Sequence, residues 1–261
     1  AGFRHFIATF PGNHAWPPVD AMENGFRWIT LNSMKDHKIA TDTKVIAEVI
    51  NYIDTLVTES IRNKRMLDAA DGLRTGISML EDLSPTDHLN KKLAVISLDP
   101  EYLSQSAYRN DLLIIENEEK QVFIDALQSK KLEWWTNRLK KVTYTKGSRF
   151  KNQEDSLKEC RLLSFLSLVC YMNLTSPSSK MDNPTISKVL SVYELADPVN
   201  PEPNYLRAGV LASHGESGAA VNELMVARQK GFSDKLRLSA QPEFQRLNTT
   251  PGWLELMNIM K

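Results

Sequence analysis

Strand is what this sequence has least of. Only residues 3–10, FRHFIATF, join aromatic and β-branched residues with a rough alternation. A single strand cannot satisfy its own backbone donors and acceptors, so a fold built on a sheet is excluded for the rest of the chain. Cysteine is almost as scarce. The two, Cys160 and Cys170, fall in one helical pattern, where ten positions span about 15 Å. That is too far for a bond to each other, which excludes a disulfide framework and leaves the compartment open. Neither sign of charge is in excess: 32 basic and 32 acidic residues give a formal net charge of zero. A general nucleic-acid binder usually carries a basic surplus, so nucleic acid is not expected as a partner. Long apolar runs are missing too. The longest, LLSFLSLVCYMNL at 162–174, carries serines and stops short of the roughly 20 residues of a membrane span. No stretch has the layout of a signal peptide. Histidine is present but scattered, with no H-E-x-x-H and no close-set cluster. No metal site and no cofactor are expected.

What is there is helix. With 42% hydrophobic and 25% charged residues over 261 positions, the chain is long enough to bury about three quarters of its unfolded surface without staples. After Pro17-Pro18, Val19, Met22, Phe26 and Ile29 recur at helical spacing with Trp28 beside them. Ile46, Ile50, Ile53 and Val57 make a stripe; Leu67, Ala70, Ile77 and Leu80 make the next. Leu89, Leu93 and Ile96 mark a short helix ending before Asp99-Pro100, where a longer one begins. LEWWTNRLKKV follows at 132–142, then the basic link TYTKGSRFKNQ, then a helix over 155–174 and another opened by Pro184.

The end of the chain carries a repeat-like pattern. In residues 204–232, small Ala208 stands where two helices approach, Gly215 makes a turn, and Ala220, Leu224 and Ala227 line one face of the second helix. Val189, Tyr193, Ala196 and Pro201 stand at matching offsets in the preceding segment. This spacing resembles a tetratricopeptide repeat. The tail, with Gly231-Phe232, then Pro242, Phe244 and Leu247, then Trp253, Leu254 and Leu256, resembles the segment that closes bacterial arrays of that type. An array needs such an atypical end to cover its last apolar face. The expected fold is all-α: a right-handed superhelix of tetratricopeptide-like hairpins, preceded by a short arm with strand character. The helical hairpins of 43–83 and 87–142 read as the same architecture with degenerate sequence.

The start of the chain carries a second resemblance. RHFIATFPGNHAWPP followed by ENGFRWITLNSMK is similar to the end of an α/β-hydrolase of the dienelactone hydrolase or depolymerase-esterase type. In that family the last strand leads to a turn bearing the catalytic histidine, and a Trp-Pro pair opens the final helix. The resemblance makes His14, between Gly12-Asn13 and Ala15-Trp16-Pro17, the triad histidine. It implies a remnant at 1–38, hairpins at 39–150 and repeats with caps at 151–261. The whole chain also resembles bacterial proteins that join such a hydrolase to a helical extension, with QSKKLEWWTNRLKKV and RLLSFLSLVCYMNL as the segments that carry it. Triads of this class run Ser, acid, His in chain order, with the Ser on G-x-S-x-G. Residues 1–13 hold no Ser, Cys, Asp or Glu, and their one hydroxyl is Thr9 inside the strand pattern. His14 is therefore an orphaned triad member in this chain, or else a histidine capping a turn. HGESG at 214–218 lacks the elbow spacing and reads as a hairpin turn.

Trp134 and Trp135 are the candidate binding pair. Adjacent helical residues point about 100° apart, so both cannot line one flat platform, and one buried with one half-exposed is the structural alternative. IIENEEKQ at 114–121 reads as a solvated helix face, and the lysines of KKLEWWTNRLKK as a wet outer surface. The expected function is a non-catalytic interaction or scaffold module, the C-terminal extension of a hydrolase, taking a protein or peptide in a concave groove. The alternatives are the C-terminal portion of a serine esterase or peptidase contributing His14, and a small-ligand binding helical domain at Trp134 and Trp135. The compartment stays open between bacterial cytoplasm and periplasm. The unpaired apolar segment 3–10 is expected to dock or to pair with a second copy as a homodimer, through Phe3, Phe6, Ile7 and Phe10.

Overall fold

Helical periodicity from residue 19 onward becomes a series of helices in a computed structural model of the chain. The structure describes residues 4–7, 17–143, 153–176 and 181–260. Among these, every regular element is helical and none is a strand. The helices are α1 Val19–Lys35, α2 Thr43–Arg62, α3 Met66–Leu80, α4 Asp87–Ser97, α5 Pro100–Ser129, α6 Leu132–Thr143, α7 Gln153–Thr175, α8 Asn183–Ala196, α9 Glu202–Ser213, α10 Ser217–Gln229 and α11 Lys235–Ala240. A 3-10 helix, Pro242–Thr249, and α12, Trp253–Ile259, complete the series. Side-chain carboxylates set several starts by accepting otherwise unpaired first-turn N–H groups. Asp42 takes Lys44 N at 2.8 Å, Asp182 takes Thr185 N at 3.0 Å and Asp234 takes Arg237 N at 2.8 Å.

The helices gather into two compact units, residues 1–110 and 111–261. The units part within α5, whereas the sequence resemblance placed boundaries after residues 38 and 150. In the first unit α1 shares one core with α2, α3 and α4: Leu31 and Met34 bury with Val49, Ile53, Leu73, Leu80, Leu89 and Ile96. α2 and α3 approach closely at Gly76, where an added Cβ would lie 2.6 Å from Ile53 Cδ1. The start of α3 is capped from a distant helix. Gln105 Oε1 on α5 accepts Met66 N at 3.0 Å, and Gln105 Nε2 donates to Lys64 O at 2.7 Å.

Two expectations for the N-terminal region change. Residues 4–7, the described part of the predicted strand, lie in neither helix nor strand. No partner strand stands among the described residues, so Phe6 finds apolar contact instead by stacking on Trp28 of α1 at 6.2 Å between ring centroids. Arg4 anchors the same arm to Asn32, with 2.9 Å between donor and acceptor, and to Asp36. Phe3 and Phe10 lie outside the described residues. The stripe Val19, Met22, Phe26 and Ile29 forms a helix as expected, but it faces outward, with Phe26 67% exposed. The core is met instead by Trp28, Leu31 and Met34.

The second unit holds two apolar clusters. One joins Phe123 and Leu127 of α5, Trp135 and Leu139 of α6, Leu162, Leu166 and Cys170 of α7, and Val189, Val192 and Tyr193 of α8. The other joins Ala208 and Ala212 of α9, Ala220, Leu224 and Ala227 of α10, and Phe232, Phe244, Leu247, Trp253 and Leu256 of the tail. Gly215, at φ +80°, closes the α9–α10 turn in a conformation that costs glycine least. Ala220 is fully buried in this hairpin. Ala220→Leu is expected to overpack it and lower the unfolding free energy by about 1–3 kcal/mol. Urea denaturation followed by circular dichroism checks this, and an unshifted midpoint would place the residue on the wrong face.

Candidate functional site

His14 lies outside the described residues, so the structure gives its role no geometry. The other histidines, His5, His37, His88 and His214, are exposed and distant in sequence. His214 ends α9 beside Gly215, with its Nε2 3.2 Å from Asn183 Nδ2. Residues 214–216 of HGESG thus form the inter-helix turn, with Gly215 supplying the left-handed residue, and Ser217 and Gly218 open α10. Among the described residues, no group of three or more His, Cys, Asp or Glu side chains is placed to hold a metal.

Trp134 and Trp135 meet edge to face, with ring centroids 4.9 Å apart and planes at 89°. Trp135 is 0% exposed and packs against Phe123 at 5.5 Å, while Trp134 is partly buried. The helix forces this divergence, because consecutive side chains leave it in different directions. Trp135 has no free face for a ligand. Its indole Nε1 is buried with no hydrogen-bond partner among the described residues, as is Ser167 Oγ.

One polar network of the second unit joins α5, α6 and α7. The segment 114–121 was expected to be a solvated face. Most of it is, with Ile114, Ile115, Asn117, Glu118 and Gln121 exposed, but Glu116 is only 2% exposed. Glu116 accepts from Lys120 Nζ at 2.7 Å and from Arg161 Nη2 at 2.6 Å and Nε at 2.8 Å. Burial pushes its carboxyl pKa up, but the hydrogen bonds from Arg161 and Lys120 outweigh this and hold it below the usual value. Glu119 stands beside it and takes Arg138 Nη2 at 2.7 Å and Lys158 Nζ at 3.1 Å. The sequence signal existed in principle: Glu116 and Lys120 are spaced i, i+4. Arg161, 45 positions away, could not be paired with Glu116 from spacing.

A second network ties the repeat-like hairpins together. Glu194 of α8 accepts from Arg207 of α9 and Lys230, each at 2.8 Å, while Glu223 of α10 accepts from Arg207 at 3.2 Å and from Asn204 Nδ2 at 2.7 Å. Glu202 accepts from Arg237 through both terminal guanidinium nitrogens, Nη2 at 2.5 Å and Nη1 at 2.7 Å, and Arg237 covers the Tyr205 ring at 4.0 Å. This fork fixes the closing segment to the start of α9. These networks join charged partners that neutralise one another.

The thiols follow the same logic. Burial in the α5–α8 core pushes the Cys170 thiol up to about 12, so it stays protonated and inert, while Cys160 is exposed. A maleimide reagent at neutral pH is expected to label one thiol in the native chain and two in denaturant, read by mass spectrometry. Rapid native labelling of both would show that this core opens readily.

Comparison of the chain with protein-family models, curated proteins and solved structures gives no match.

Proposed function

We propose that the chain is a non-catalytic interaction or scaffold module of tetratricopeptide type, the C-terminal extension of an α/β-hydrolase. The observation that carries this reading is the α9–α10 hairpin and its closure. Ala208, Ala212, Ala220 and Ala227 are the small residues buried between its helices, and Phe244, Leu247 and Trp253 cover its end. Such hairpins stack into right-handed superhelices whose concave groove suits an extended peptide or a partner helix. The scaffold gives the kind of partner by analogy, and its identity rests on side chains the partner would have to match. A triad of this class needs a serine and an acid ahead of its histidine, and residues 1–13 hold neither, so the polypeptide 1–261 by itself lacks two of the three members. The purified chain is therefore expected to hydrolyse p-nitrophenyl acetate no faster than its His14→Ala variant. A hydrolysis rate lost on replacing His14, or any single serine, would overturn the reading.

One observation favours a second reading, in which the chain is the end of a serine esterase or peptidase and contributes His14. The outward face of α1 is apolar at Val19, Met22, Phe26 and Ile29. In the hydrolase family this segment resembles, the final helix lays such a face on the sheet. Esterase activity that appears when the chain is extended upstream to include G-x-S-x-G, and is lost on His14→Ala, would favour this reading, whereas activity untouched by His14→Ala would leave the interaction module.

A further inference from the structure

We draw no further inference here: the strongest candidate, the outward apolar face of α1 formed by Val19, Met22, Phe26 and Ile29, carries nothing because nothing in the structure shows what covers it.

Discussion

Trp135→Ala is expected to lower the unfolding free energy by about 3–5 kcal/mol, the range for removing a large aromatic side chain from a packed interior. The indole is 0% exposed and sits where α5, α6, α7 and α8 converge. Its removal leaves a cavity lined by Phe123, Leu139, Leu162 and their neighbours, and the helices around it can close only in part. Because Nε1 donates no hydrogen bond among the described residues, the loss is one of packing rather than of polar pairing. Trp135→Phe, which keeps most of the volume, should then cost much less than the alanine variant. Trp134→Ala should also cost less, since its ring is only partly buried. Urea denaturation followed by far-ultraviolet circular dichroism measures all three. Equal losses for Trp134→Ala and Trp135→Ala would contradict the asymmetry of the pair.

Glu116→Ala is expected to cost about 2 kcal/mol, less than the 3–5 typical when one partner of a fully buried pair is removed. The reason lies in who stays behind. The Glu116 side chain is 2% exposed, but those of Lys120 and Arg161 are 29% and 43% exposed, so both cations regain water when the carboxylate goes. The same site gives a pH dependence of defined sign. The folded-state pKa of Glu116 lies below its ordinary value, so the folded chain binds fewer protons than the unfolded chain in that window. Its contribution is fully present above the ordinary carboxylate range and is lost as pH falls through the depressed folded value. Glu194 shifts in the same direction: burial raises it, and hydrogen bonds from Lys230 and Arg207 lower it further than burial lifts it. Stability of the chain should therefore decline on acidification below about pH 5, and Glu116→Gln should flatten part of that decline. A pH profile identical for the Glu116→Gln variant and the unaltered chain would remove the ion pair from the account.

The helices themselves were legible in the sequence, because periodicity and local start signals act over a few residues. Ile46, Ile53 and Val57 mark α2 by spacing alone, and Pro184 opens α8 without reference to anything distant. The α9–α10 hairpin was legible for the same reason: small residues and Gly215 fall within one short stretch, and Ala208, Ala220 and Ala227 are buried as their spacing required. What tertiary structure alone decided is which apolar face is covered and which charge is taken from water. Val19, Met22, Phe26 and Ile29 look like a core stripe in sequence, yet α1 meets α2 and α3 through Trp28, Leu31 and Met34. Periodicity states that a helix has an apolar side, and this helix has two. Glu116 reads as one acid in a polar run until Arg161 from α7 arrives to compensate its burial. Gln105 reads as an ordinary helical residue until it caps the distant start of α3. Each of these depends on groups tens of residues apart in the chain, whose meeting is fixed by packing rather than by the spacing along either helix.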